Sequence, residues 1–194
     1  NYALKKQERA NKRYSGPAVA ETGVLPPSSW GFSADVKGYP FDVEKAKQLL
    51  KDSGYKGETI TIDTYTIARG YNPQGSKLAE AVQQYFEAIG VKSEIKTGEW
   101  TQYRADRRAG KLNLAFGGWQ ADTGDPENFL GGFFHLANKG GLNTSFYGVP
   151  EVDALLNQAN EESDTAKRKT LFNQAETKIV EDAPSVVVLL REIL

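Results

Sequence analysis

The stretch Phe116-Gly117-Gly118-Trp119-Gln120-Ala121-Asp122-Thr123-Gly124-Asp125-Pro126-Glu127-Asn128-Phe129 decides how this chain is read. It follows a predicted strand, Leu112 to about Gly117. Its Asp125-Pro126 pair has the form of a helix start, with Asp125 as the cap. A loop leading from strand to helix is where α/β folds place ligand sites. Gly117 and Gly118 permit close approach of the backbone, Trp119 offers a flat apolar wall, and Asp122 puts a carboxylate at the loop tip. That layout suits a cationic ligand group held over an aromatic surface. Three other readings of the same residues stand beside it. Asp122, Asp125 and Glu127 could ligate Ca²⁺, although the oxygen spacing and glycine of an EF-hand are missing. Asp122 and Glu127 could form an acid–base pair for glycoside hydrolysis. The loop could also be a capped turn that binds nothing.

The flanking sequence alternates helix and strand signals. Asp42 is placed to cap a helix with Ala46, Leu49 and Leu50 on one stripe, and Gly54 stands where a left-handed C-cap is wanted. Thr59 to Tyr65 alternates in the β manner. After a polar turn containing Asn72-Pro73, a second helix carries Leu78, Val82, Tyr85, Phe86 and Ile89 on one face and ends at Gly90. Val91 to Ile95 is a further strand, and Trp100 to Ala109 a further helix. Pro150 opens a helix with Val152, Leu155 and Leu156 inward. Asp164 caps another with Leu171, Phe172, Ala175 and Ile179 inward, and Pro184 stops it. Ser185 to Leu190 reads as a buried strand. At the other end, Tyr2 to about Tyr14 reads as a basic helix with a solvated face, and Gly23 to Gly31 as extended loop. Strands separated by helices predict an α/β domain with crossover units.

Composition narrows the function. The 194 residues are 39% hydrophobic and 25% charged with a formal net charge of −1, which gives no electrostatic case for nucleic acid or an anionic membrane. The longest apolar run, Val186 to Leu190, is too short to span a bilayer. No secretory signal is visible at Asn1 to Lys6. The absence of cysteine excludes disulfides, thiolate zinc sites and cysteine nucleophiles within these residues. The one histidine, His135, follows Phe133-Phe134 and reads as a half-buried packing residue. No G-x-G-x-x-G or Walker lysine motif occurs, so no nucleotide cofactor is expected.

Four segments together carry a family resemblance. Gly118-Trp119, Asp122 and Asp125-Pro126 resemble the binding loop of the family 5 (peptide/nickel) extracellular solute-binding proteins of ABC importers. Phe41 to Leu50 with Ser53-Gly54-Tyr55 is similar to that family's "Y/F-D-P-E-K-A-K-x-L-L-x-x-A-G-Y" helix. Leu78 to Val91 resembles its helix before "G-I/V-x-V", and Asp164, Arg168, Leu171 and Ala183-Pro184 its closing "D-x-x-x-R-x-x-L … A-P" signature. The resemblance implies a class II periplasmic-binding-protein fold, two α/β lobes closing on a ligand, with a mixed sheet flanked by helices. It covers the C-terminal portion of longer family chains. Residues 1–194 are therefore expected to form a single lobe, with the N-terminal lobe lying outside them.

Within that family, Arg69-Gly70-Tyr71-Asn72-Pro73 resembles the "R-x-Y-N-P" segment of dipeptide-binding members. There the arginine pairs with the ligand's α-carboxylate, and the aspartate matching Asp122 with its α-ammonium. The resemblance thus implies a ligand site of Arg69, Tyr71, Trp100, Gly118, Trp119 and Asp122. It implies import of di- or oligopeptides with no bond made or broken, and permease subunits as partners. The expected location is extracytoplasmic, in the periplasm or on the outer face of the cell membrane, with any lipid-bearing cysteine lying upstream. The alternatives are a nickel chelate, haem or oligosaccharide ligand within the same family, or a carboxylate-based glycoside hydrolase.

Overall fold

The computed structural model describes residues 1–6, 18–19, 23–120, 122–188 and 190–191. In chain order the strands and α-helices are β1 (Ala18–Val19), α1 (Val43–Asp52), β2 (Ile60–Tyr65), α2 (Gly75–Ala88), β3 (Ser93–Gly98), α3 (Trp100–Arg108), β4 (Leu114–Ala115), α4 (Leu130–Phe134), α5 (Pro150–Glu161), α6 (Thr165–Asp182) and β5 (Leu190–Arg191). They divide between two compact units, one of Asn1–Lys5 with Pro40–Trp119 and one of Lys6–Tyr39 with Gln120–Leu194.

The first unit is built on a three-stranded sheet in the order β3-β2-β4, with β2 parallel to both neighbours. Parallel neighbours need crossovers, which α2 and α3 supply between successive strands. As the middle strand, β2 is enclosed, and Ile62, Asp63, Thr64 and Tyr65 are all buried. Local chemistry sets the helix ends. Asp42 accepts the Lys45 N–H at 2.9 Å, and Gly54 takes the left-handed conformation after α1 at φ 75°. Of the expected stripe on α1, Ala46 is buried and Leu50 half-buried, whereas Leu49 is exposed.

Two strand limits differ from the sequence reading. Val91, expected to open β3, belongs to the stop of α2. Its N–H donates to Phe86 O at 2.9 Å and that of Gly90 to Glu87 O at 3.0 Å, the paired bonds of a Schellman motif, with Gly90 at φ 88°. The strand therefore starts two residues later, at Ser93. The strand expected over Leu112 to Gly117 pairs only at Leu114–Ala115, opposite Ile62 and Asp63. Beyond it, the Phe116 carbonyl is taken by side chains of α3 and has left the ladder.

In the second unit, α4, α5 and α6 enclose a core of Leu130, Phe134, Val152, Leu156, Ala159, Phe172, Ala175 and Ile179, joined by Val24 and Leu25. Each large side chain withdrawn from water here contributes about 1.5–3 kcal/mol. Asp164 caps α6 by accepting the Ala166 and Lys167 N–H groups at 2.9 and 3.0 Å. The buried Glu176 carboxylate of the same helix accepts the Val24 and Leu25 N–H groups at 2.6 and 2.8 Å, which ties the Gly23 to Leu25 loop to the core. Helix α6 ends at Ala183, left-handed at φ 51°.

Asp125-Pro126 opens a single 3-10 turn, Pro126–Asn128, with the five-residue α4 after it. The apolar run Ser185 to Leu190 does not form the expected continuous strand. Residues 185–188 have no ladder partner, and among the described residues pairing here is confined to Leu190–Arg191 against Ala18–Val19. A run of valines supplies apolar surface, but a strand also needs a neighbour at the right register. Most of the helix expected over Tyr2 to Tyr14 lies outside the described residues.

Candidate functional site

Because the sheet of the first unit is parallel, the carboxyl ends of β2, β3 and β4 share one edge. The chain leaves them at Tyr65, Gly98 and Ala115. Arg69, Tyr71, Trp100, Gly118 and Trp119 all lie on the segments that follow these ends, where open α/β sheets bind ligands.

Each is placed by local chemistry. Arg69 and Asn72 exchange backbone hydrogen bonds, Asn72 N–H to Arg69 O at 2.9 Å and Arg69 N–H to Asn72 O at 3.2 Å, closing a tight turn over Gly70 and Tyr71. Asn72 is buried and donates to the Tyr65 hydroxyl at 3.2 Å, which ties that turn to the end of β2. Trp100 is the first residue of α3, and Glu99 caps the helix by accepting the Thr101 and Gln102 N–H groups at 2.7 and 3.2 Å. The indole packs edge-on to Tyr65 at 5.0 Å between centroids and stacks on Tyr103 at 6.1 Å. The Arg69 guanidinium lies over it, 4.2 Å from the ring centroid. Tyr65 and Tyr103 stay protonated, because burial pushes both phenols well above their ordinary value.

The two glycines are explained by protein neighbours. The Tyr103 hydroxyl donates to Phe116 O at 2.7 Å and Arg107 Nη1 donates to the same oxygen at 3.1 Å, which draws the loop down onto α3. A Cβ on Gly117 would meet the Arg107 guanidinium, 3.1 Å from Cζ. One on Gly118 would strike the Tyr71 ring, 2.6 Å from Cγ. Trp119 follows, 36% exposed as a residue, a large apolar residue left accessible.

Asp122 belongs to the second unit, where it is exposed. The residues after it are held tightly. Ser29 Oγ donates to Gly124 O at 3.1 Å, and Arg168 forks onto the Asp125 carboxylate at 2.7 and 3.2 Å. Pro126 is fully buried, with Gly31 packed so closely that a Cβ there would overlap its ring. The acidic residues of this loop therefore have separate duties. Asp125 serves as cap and ion-pair partner. Glu127 is half-buried against Gly131, and burial raises its carboxyl above the usual range. Among the described residues no group of three or more His, Asp or Glu side chains is arranged to hold a metal ion. His135 is half-buried, and its Nδ1 accepts the Ala137 N–H at 3.0 Å.

Sequence reasoning missed Tyr65, Tyr103, Arg104 and Arg107, all part of the Trp100 cluster. A signal existed: Tyr103, Arg104 and Arg107 follow Trp100 at helical spacings of three, four and seven, which place them on its face once α3 is granted. The partner contributed by β2, Tyr65, has no such local mark.

An α/β unit that gathers aromatic rings and guanidinium groups at the carboxyl edge of a parallel sheet has the form of a ligand-binding module. The family model "Bacterial extracellular solute-binding proteins, family 5 Middle" matches residues 1–141, and the chain belongs to that family. It is 34% identical over 189 residues to heme-binding protein A of Haemophilus influenzae and 33% identical over 189 residues to the dipeptide-binding protein of Escherichia coli. These alignments cover 97% and 96% of this chain and 35% of each relative. Among solved structures, the periplasmic binding protein DppA of Helicobacter pylori in complex with the peptide STSA matches with a TM-score of 0.88 at 32% identity, over 97% of this chain and 36% of that one. The chain thus spans about a third of the length of the relatives it matches, and its fold is the α/β fold of periplasmic binding proteins.

Proposed function

We propose that residues 1–194 are one lobe of an extracytoplasmic solute-binding protein that captures peptides, dipeptides foremost, and delivers them to the permease subunits of an ABC importer. In this reading Arg69 pairs with the ligand α-carboxylate and Asp122 with its α-ammonium. Tyr71, Trp100, Gly118 and Trp119 line the ligand, and no bond is made or broken. The parts of the longer protein outside these residues complete the enclosure, as a ligand needs walls on more than one side to be desolvated.

The observation that carries the reading is Arg69 itself. Its guanidinium rests on an indole at the carboxyl edge of a parallel sheet, and among the described residues no carboxylate pairs with it. A planar fork held flat and left without an anion is suited to a carboxylate that arrives with a ligand. A second reading, haem as ligand, draws on the relative named heme-binding protein A.

The test is calorimetry on the intact protein with Ala-Ala, its C-terminal amide and its N-acetyl form. Arg69→Ala and Asp122→Ala are each expected to weaken Ala-Ala binding by about 2–5 kcal/mol. The amide should lose sensitivity to Arg69→Ala, and the N-acetyl peptide sensitivity to Asp122→Ala. Haem binding without peptide binding would replace this reading with the second one.

A further inference from the structure

The Trp100 indole carries two guanidinium groups. Besides Arg69 at 4.2 Å, the Arg104 guanidinium carbon lies 5.7 Å from the same ring centroid. A third, that of Arg107, is turned inward and committed to Phe116 O. Among the described residues no carboxylate is within ion-pair distance of Arg69, Arg104 or Arg107. The acidic groups on the same helix are engaged elsewhere. Glu99 caps α3, and Asp106 faces Lys111 at 3.5 Å and Gln102 at 2.9 Å.

Such a cluster opposes its own formation. Like charges gathered around one aromatic ring repel, and an exposed cation–π contact returns only about 0.5–1 kcal/mol. Structural arginines normally resolve this by pairing with acidic neighbours, and here the nearby acids are otherwise occupied. One ligand carboxylate, forked by Arg69, leaves Arg104 still without a counterion. Arg104 is exposed and, among the described residues, its guanidinium has no hydrogen-bond partner, so its fork is available to an anion.

We infer that Arg69 and Arg104, sharing the Trp100 ring, form a site for two anionic groups, which makes peptides with an acidic C-terminal residue the preferred ligands. Arg69 takes the α-carboxylate and Arg104 the side-chain carboxylate a few bonds away. This rests on the peptide reading above and adds to it a specificity residue that the binding-loop residues do not supply.

Ala-Glu and Ala-Gln separate charge from shape, since their side chains differ by one amide. Calorimetry on the intact protein at low salt should show Ala-Glu binding about two- to fivefold more tightly, the range for a solvated charge pair. Higher salt should shrink the ratio. Arg104→Gln should bring it to about one, while Arg108→Gln, one turn further along α3, should leave it standing. Equal affinities in the wild-type protein, or a preference that survives Arg104→Gln, would overturn the inference and leave the peptide reading intact. Failure of both peptides to bind would overturn the two together.

Discussion

Arg168 grips Asp125 with both arms of its guanidinium, Nη1 2.7 Å from Oδ2 and Nη2 3.2 Å from Oδ1. Its Nε donates to Ala159 O at 2.9 Å, and its planar group lies 5.3 Å from the Trp30 ring centroid and 5.2 Å from that of Phe172. One side chain of α6 therefore holds the loop that carries Asp122, the end of α5, and an aromatic pair of the core.

Removing this arginine leaves Asp125 without its ion-pair partner. The pair is partly shielded, with side chains 24% and 31% exposed, so the cost falls below that of a fully buried pair. Arg168→Ala should lower the stability of the protein by about 1–3 kcal/mol in urea unfolding. Arg168→Lys should recover less than half of that, because an ammonium cannot fork onto a carboxylate or lie flat against Trp30. Full recovery by lysine would show that charge alone matters at this position.

The two loop glycines that flank Asp122 differ in the space around them. A Cβ on Gly118 would strike the Tyr71 ring, whereas nothing lies within 4 Å of one on Gly124. Gly118→Ala should therefore cost about 1–3 kcal/mol in thermal or urea unfolding and displace Tyr71, with Gly124→Ala within about 0.5 kcal/mol of wild type. Equal effects at the two positions would contradict the Tyr71 contact.

Glu127 predicts a pH dependence. Burial raises its carboxyl, an effect that Asp125 reinforces and that Asn160, His135 and Arg168 oppose, and its Oε2 is buried without a hydrogen-bond partner. A folded-state pKa above the unfolded value means that the folded form favours the protonated acid. Stability from this group is thus full below the ordinary glutamate range and is lost as pH rises through the raised value. Glu127→Gln, neutral at every pH, should match wild type near pH 4 and gain on it progressively toward pH 8. Urea titrations at several pH values measure this, and a difference that does not vary with pH would exclude ionisation of Glu127 as its source.

What could be read without coordinates was what neighbours in sequence decide. Asp42, Asp164, Pro150, Gly54 and Gly90 mark helix ends because a cap or a left-handed turn acts within a few residues of itself. The periodicity of α2 and α6 placed Val82, Phe172, Ala175 and Ile179 inward, and all four are buried. Strand limits were less legible, since pairing depends on a distant partner. Val91 was lost to a helix stop, β4 was cut short where Tyr103 and Arg107 capture the Phe116 carbonyl, and Val186 to Val188 gained no ladder.

The same division runs through the loop from Phe116 to Phe129. The sequence alone marked its glycines, its indole and its acids, and family resemblance paired Arg69 with Asp122 as ligand contacts. The tertiary structure decided what those residues touch: Gly117 makes room for Arg107 and Gly118 for Tyr71, Asp125 belongs to Arg168, and Trp100 carries Arg69 and Arg104. Apart from Trp100–Arg104, which share one helix face, these contacts join residues on different segments of the chain, and close packing of the folded molecule selects them.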